Sequence, residues 1–188
     1  MSRADFHTVP DRGLNVDAEK GPTFFTAYSV LMPTTIATES PRQPEIAELL
    51  RLSGEYAQSP YPPESNFLLG VDELEQPGVA VYVARDATAR ALGIAALVGG
   101  AGRTAELKRM FVHPDARGRG VARRLLAGIE TDAAARGIRE NVLETGPESH
   151  AALSFYRGAG YREVPLFGQY VGEAFSVCFA KALPGIPQ

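Results

Sequence analysis

The sequence predicts one α/β (α+β) domain: a mixed, mostly antiparallel sheet of about six to seven strands with helices on both faces. Three observations predict it. A length of 188 residues supports one substantial core rather than two. Three strand-like runs in the middle of the chain, joined by short Gly-rich or polar turns, call for antiparallel pairing. After them, helical and strand-like segments alternate, which lays helices across the sheet. The domain is expected over 26–184, with a loosely ordered extension at 1–25 and a short tail at 185–188.

Thr26 to Met32 is rich in β-formers and reads as a first strand ended by Pro33. Ile46, Leu49, Leu50 and Ser53 follow helical spacing, so Pro44 to about Gln58 is a helix with proline in its first turn. Tyr61 to Asn66 is a proline-stiffened loop, and a short helix is expected at 66–75. Val79 to Arg85, Ala91 to Val98 and Thr104 to Val112 are the three strands. Gly120 to Arg136 is an amphipathic helix with Val121, Leu125 and Ile129 four apart. Asn141 to Thr145 is a short buried strand, Ser149 to Ala159 a helix, and Tyr161 to Val164 and Phe175 to Ala180 the last strands.

Composition narrows the function. Hydrophobic residues make up 45% and charged residues 22%, with a net charge of −3. A general nucleic-acid binder would be basic, so no nucleic-acid partner is expected. No run reaches the roughly 20 apolar residues of a membrane span, so no membrane partner is expected. The N-terminal run lacks a secretory apolar segment, and the single cysteine, Cys178, can form no internal disulfide. A cytoplasmic setting follows as an expectation. His7, His113 and His150 are isolated, and no metal site is expected.

The positive charge is uneven: Lys108, Arg109, Arg117, Arg119, Arg123 and Arg124 lie within seventeen residues. In that stretch a strand ends at Val112, a Pro-containing loop follows, and Arg117-Gly118-Arg119-Gly120 opens the amphipathic helix. The first N–H groups of a helix have no internal partner and carry partial positive charge. With glycine allowing close approach, they form a site for phosphate or pyrophosphate. There is no GKS/GKT and no GxGxxG, so this is neither a P-loop nor a dinucleotide fingerprint.

The run Arg117-Gly118-Arg119-Gly120-Val121-Ala122 resembles the R/Q-x-x-G-x-G/A motif of the GCN5-related N-acetyltransferase (GNAT) family. Ala152-Leu153-Ser154-Phe155-Tyr156-Arg157-Gly158-Ala159-Gly160-Tyr161 resembles the family's last helix and following strand. The resemblance covers roughly 26–183. It implies acetyl-CoA as acyl donor and no metal. Met110, Phe111 and Val112 would meet the pantetheine arm through their backbone, and Arg117, Gly118, Arg119, Gly120, Val121 and Ala122 would cradle the pyrophosphate. Ser149 stands where many members carry a pantetheine-binding asparagine.

By the same resemblance Tyr156 would protonate the departing thiolate, and Glu106, at the start of the cofactor strand, is the candidate general base. Tyr61, Glu64, Asn66 and Tyr170 are the candidate acceptor contacts. YPPESN and FGQY followed by FSVCF are similar to segments of a bacterial subgroup of the family. The expected function is acetyl transfer to a primary amine of a small molecule, an amino acid or related metabolite, by a homodimer. Acetylation of a protein or peptide is the alternative within enzymes, and an inactive acyl-CoA-binding module the alternative outside them.

Overall fold

The computed structural model describes residues 34–58 and 67–185. Its elements are β1 (Thr35–Thr38), α1 (Pro44–Gln58), α2 (Val71–Leu74), β2 (Val79–Arg85), β3 (Ala91–Gly99), β4 (Thr104–Val112), α3 (Val121–Ala135), β5 (Glu140–Thr145), α4 (His150–Gly158), β6 (Arg162–Val164) and β7 (Val177–Ala182). Seven strands form one open sheet in the order β1-β2-β3-β4-β5-β7-β6. Every pairing is antiparallel except β4 with β5.

The sheet is mixed, as expected from the sequence, with an edge strand that the sequence reading lacks and two elements whose bounds differ. The expected strand at 26–32 lies outside the described residues. The edge strand is Thr35–Thr38, whose Thr35 pairs with Arg85. The helix expected at 66–75 is a single turn, Val71–Leu74, because Phe67 to Gly70 runs without helical structure up to its start. There the Glu73 carboxylate accepts the Gly70 N–H at 2.7 Å. The last strand begins at Val177 rather than Phe175, and Phe175 is left exposed at its approach.

Each sheet face buries its own core. On one face Leu125, Ile129 and Ala133 of α3 and Leu153 and Tyr156 of α4 pack on Leu97, Leu107, Leu143 and Phe179. On the other, Ile46, Leu49 and Leu50 of α1 and Leu74 of α2 pack on Val81, Val83, Ile94 and Phe111. The i, i+3, i+4 spacing in α1 puts its apolar residues on one stripe, and that stripe is what the sheet covers.

One irregularity in β4 shapes everything that follows. Ile94 pairs with Phe111 and Ala96 with Lys108, so Arg109 and Met110 together stand opposite Ala95. This is a β-bulge, and Arg109 sits at φ 55°, in the left-handed region. A bulge shifts the two-residue alternation by one. Leu107 and Met110 therefore both face α3 and α4, whereas Phe111 joins the α1 core. The strands also approach closely here: a Cβ on Gly93 would lie 2.8 Å from the Phe111 carbonyl oxygen.

The bulge also ends the β4–β5 pairing. The parallel ladder runs only from Thr104/Glu140 to Leu107/Leu143. Beyond it β4 stays with β3 as far as Val112, and β5 stays with β7 as far as Thr145. The two strands part like a wedge, and the backbone of β4 after Leu107 has no strand on its β5 side. Unpaired backbone N–H and C=O groups of that kind are a template for an added extended chain.

Candidate active site

A cleft of about 180 Å³ fills the wedge. Met110, Ser149, Ala152 and Tyr156 line it from the α4 side, and Tyr56, Phe67, Leu68, Lys108 and Glu144 line it from the α1 side. A smaller hollow of about 70 Å³ adjoins it, bounded by Phe67, Leu68, Glu106, Lys108, Arg109, Glu144 and Tyr170. The gap between β4 and β5 thus joins the two faces of the sheet.

Tyr156 projects from α4 and is 8% exposed. Its ring packs on Phe155, Tyr161 and Phe179, and its hydroxyl reaches the Met110 sulfur at 3.5 Å. That contact exists because the bulge brings Met110 to this face. Burial, with the Glu144 charge adding to it, holds the phenol well above the usual tyrosine value. Tyr156 is therefore a protonated donor at neutral pH.

Across the wedge, Tyr170 is 1% exposed and its hydroxyl donates to Glu106 Oε1 at 2.5 Å. The same hydroxyl accepts from Lys108 Nζ at 2.5 Å and from Gln169 Nε2 at 3.2 Å. Lys108 also reaches Glu106 Oε1 at 3.1 Å. Burial and the Glu106 hydrogen bond push the Tyr170 phenol up. Glu106 and Lys108 lie two apart on β4 and so share a face. Their partner Tyr170 comes from a 3₁₀ turn, Gly168–Tyr170, in the loop before β7.

Sequence reasoning missed Glu144. Parallel register pairs Glu106 with Val142, so Glu144, two residues on, points to the same face as Glu106. Burial raises its carboxyl above the ordinary glutamate range, against the lowering influence of the Ser176 hydroxyl, which donates to Oε1 at 2.8 Å. The signal was present in the strand's two-residue period, but it could be used only once β5 was known to lie parallel beside β4.

The Gly/Arg loop meets α3 as the sequence suggests. Gly120 is the N-cap at φ 75°, and the first helical bond runs from Arg124 N to Gly120 O at 3.1 Å. The N–H groups of Val121, Ala122 and Arg123 precede it and have no partner within the helix. A Cβ on Gly118 would meet nothing within 4 Å, so the approach to the loop is open. Arg119 and Arg123 are exposed beside it.

The basic cluster does not act as one patch. Arg124 folds back so that Nη2 donates to the Arg119 carbonyl at 2.7 Å. Arg117 lies over the Tyr56 and Phe111 rings, 5.0 and 5.6 Å from their centroids, and donates to the Val112 carbonyl at 3.2 Å. Its side chain therefore turns toward α1, leaving its backbone to the loop. Arg109 reaches the Leu50 carbonyl at 2.6 Å and is desolvated enough to lower its guanidinium pKa.

Ser149 is the N-cap of α4, yet its hydroxyl makes no capping bond and the residue lines the cleft. His113 accepts the Asp115 N–H at 3.3 Å in a turn, and Cys178 is buried in β7. Tyr61, Glu64 and Asn66 lie outside the described residues. Among the described residues, no helix is long and apolar enough to cross a membrane, and no group of three His, Cys, Asp or Glu is placed to hold a metal ion.

A family model described as the acetyltransferase (GNAT) family matches residues 44–161, the span from α1 through the wedge to the end of α4. The chain belongs to the GNAT acetyltransferase family. A protein of Azospirillum brasilense named "IAA acetyltransferase" is 37% identical over 150 residues, covering 79% of this chain and 97% of the relative. Among solved structures, a Klebsiella pneumoniae protein assigned as an acyl-CoA N-acyltransferase matches with a TM-score of 0.66. It is 27% identical, over 80% of this chain and 97% of its own. PaiA N-acetyltransferase of Thermoplasma acidophilum, solved in complex with coenzyme A, has a TM-score of 0.63 at 18% identity, over 80% and 99% of the two chains, and shares the fold.

As a member of this family the protein is an acyltransferase that uses acetyl-CoA. The residues fit that donor on two independent features: an unpaired strand edge beside the wedge, and an open helix N-terminus flanked by glycine and arginine.

Proposed function

We propose that this GNAT enzyme transfers the acetyl group of acetyl-CoA to the primary amine of a small molecule, an amino acid or related metabolite, by direct attack. The observation that carries the reading is the small carboxylate-lined hollow that opens from the wedge beside Tyr156. An alkylammonium with a pKa of about 10.4 arrives charged and must lose a proton before it can attack. Glu106 and Glu144 give the hollow carboxylates that can accept from such a group, beside Lys108 and Arg109, which also line it, and Phe67 and Leu68 give it an apolar wall. A volume of about 70 Å³ takes the amine end of an acceptor.

Acetyl-CoA supplies the activated acetyl group as a thioester. In the proposed arrangement, the free β4 edge at Met110 and Val112 binds the pantetheine, with Phe111 between them and Ser149 opposite. The backbone of Arg117, Gly118, Arg119 and Gly120 and the first turn at Val121 and Ala122 bind the pyrophosphate. Tyr156 gives its proton to the sulfur. Glu106, engaged by both Tyr170 and Lys108, anchors the acceptor wall. Tyr61, Glu64 and Asn66 are assigned to the acceptor on their loop's composition and its likeness to a family subgroup. We assign the enzyme to a bacterial cytoplasm as a homodimer. An apolar hollow of about 620 Å³ beside Val142, Val164, Phe167 and Ala180 is a surface a second copy can cover.

The test is incubation with acetyl-CoA and a panel of amino acids, polyamines, aminoglycosides and short peptides, with mass spectrometry of the products. The expected result is one acetyl group gained on the nitrogen of a small amine. Products confined to peptides would replace the small-molecule reading, and acetyl-CoA binding with no product would leave a binding module.

A further inference from the structure

We infer that Glu144 of β5, rather than Glu106 of β4, takes the proton from the attacking amine, and that Ser176 positions and tunes it. This assignment rests on the amine acetylation proposed above.

Position is the first ground. Glu144 lines both the wedge cleft and the acceptor hollow, whereas Glu106 lines the acceptor hollow and the apolar hollow beside Val142 but not the wedge cleft. The reacting nitrogen has to stand where the two spaces meet, because the thioester lies in one and the acceptor body in the other. Glu144 is the carboxylate at that junction. Glu144 and Tyr156 line the same wedge cleft, one from β5 and one from α4, so a proton acceptor and a proton donor share one space.

Availability is the second ground. Glu106 Oε1 already accepts from the Tyr170 hydroxyl and the Lys108 ammonium, an arrangement that fixes the loop before β7 against the sheet. Among the described residues the one hydrogen bond to the Glu144 carboxylate comes from the neutral Ser176 hydroxyl, to Oε1 at 2.8 Å, whereas Glu106 Oε1 is held by a cation and a phenol; the second oxygen of each carboxylate accepts none. The groups around Glu144 are Lys108, Glu106 and Arg109 from β4, Tyr56 from α1, Tyr156 from α4, Cys178 opposite it on β7, and Tyr170, Glu173 and Ser176 from the loop before β7. Burial raises its carboxyl, Ser176 and Lys108 pull it down, and Glu106 and Glu173 push it up. The net rise makes it a stronger base than an ordinary carboxylate.

The protons balance as follows. Glu144 takes one proton from the ammonium, freeing the nitrogen lone pair, and passes that proton to solvent. The lone pair forms the C–N bond to the thioester carbon, and the C–S bond breaks. The sulfur takes the Tyr156 proton. The nitrogen's remaining surplus proton restores the Tyr156 phenol by way of solvent. The products are the amide, the free thiol and one released proton.

The experiment is the pH profile of kcat/KM for the amine in the wild type and in Glu144→Gln, Glu106→Gln and Ser176→Ala, with acetyl-CoA affinity by calorimetry as the folding control. Glu144→Gln is expected to lose about a hundredfold or more and to lose the acid limb that the carboxylate sets, leaving a rise that follows the amine's own pKa of about 10.4, with acetyl-CoA affinity unchanged. Ser176→Ala removes a hydrogen bond that favours the ionised carboxylate, so its acid limb moves to higher pH. Glu106→Gln raises KM for the amine and keeps the limb. An acid limb that keeps its wild-type position in Glu144→Gln, or in Ser176→Ala, overturns the inference. A wild type that acetylates no amine sinks the functional proposal itself, whereas an active wild type with a silent Glu144→Gln effect sinks only the assignment of the base.

Discussion

Replacing Tyr156 by phenylalanine separates chemistry from packing at the site. The ring's contacts with Phe155, Tyr161 and Phe179 survive the change. The hydroxyl's one hydrogen bond goes to the Met110 thioether at 3.5 Å, and sulfur is a weak acceptor. Its loss belongs at the low end of the roughly 0.5–1.5 kcal/mol of an ordinary hydrogen bond. For a chain of this size, about 0.5 kcal/mol moves Tm by about 1–2 °C. Loss of a general acid costs on the order of 10²-fold or more in kcat, which is about 2.7 kcal/mol of barrier. The barrier should therefore change several times more than the stability. Thiol release at saturating acetyl-CoA and thermal melting by circular dichroism read the two quantities. An unchanged kcat across the pH range would remove Tyr156 from the mechanism. A fall in kcat accompanied by a Tm loss of about 8 °C or more would mean that the variant disturbs packing instead.

Two further perturbations test other parts of the account. Gly120→Glu places a side chain at φ 75°, where a non-glycine residue costs roughly 1–2 kcal/mol, and sets a negative charge at the anion site. Acetyl-CoA affinity should fall at least about tenfold by calorimetry while the protein stays folded, and wild-type affinity would refute the pyrophosphate assignment. Arg85→Met removes a guanidinium that holds both Glu39 oxygens at 2.7–2.8 Å and Glu45 at 3.0 Å, at a cost of about 2–3 kcal/mol in urea denaturation at pH 7. The Arg85 hydrogen bond lowers the Glu39 pKa in the folded state, so this stabilisation is present above the unfolded value and is lost as pH falls through the folded one. The gap between wild type and variant should narrow in acid, and a gap independent of pH would contradict the ion-pair account.

Much of this fold was legible in the sequence because amphipathic spacing reports which face of an element is buried. Val121, Leu125 and Ile129 gave α3 away, and all three are buried. Ile46, Leu49 and Leu50 did the same for α1, within the bounds the structure gives. The edge strand at Thr35–Thr38 was not read, since four residues beside a proline carry too short a pattern.

The bulge at Arg109 was not readable either. A left-handed arginine leaves no compositional mark. Glu144 was missed for a related reason: its face depends on the parallel register with β4, and single-strand alternation cannot supply that. Arg117 and Arg124 fall in one basic stretch of the sequence, yet their side chains are spent on aromatic rings and a backbone carbonyl.

The most direct measurement is a crystal structure of the protein with acetyl-CoA. The account predicts the pyrophosphate on the N–H groups of Val121 to Arg123 and the pantetheine along β4 after Leu107. It predicts the thioester sulfur within hydrogen-bond reach of the Tyr156 hydroxyl, with Glu144 on the other side of the acetyl carbon. A sulfur remote from both Tyr156 and Glu144, or a donor seated in the separate groove between Pro41, Leu74 and Arg136, would contradict it.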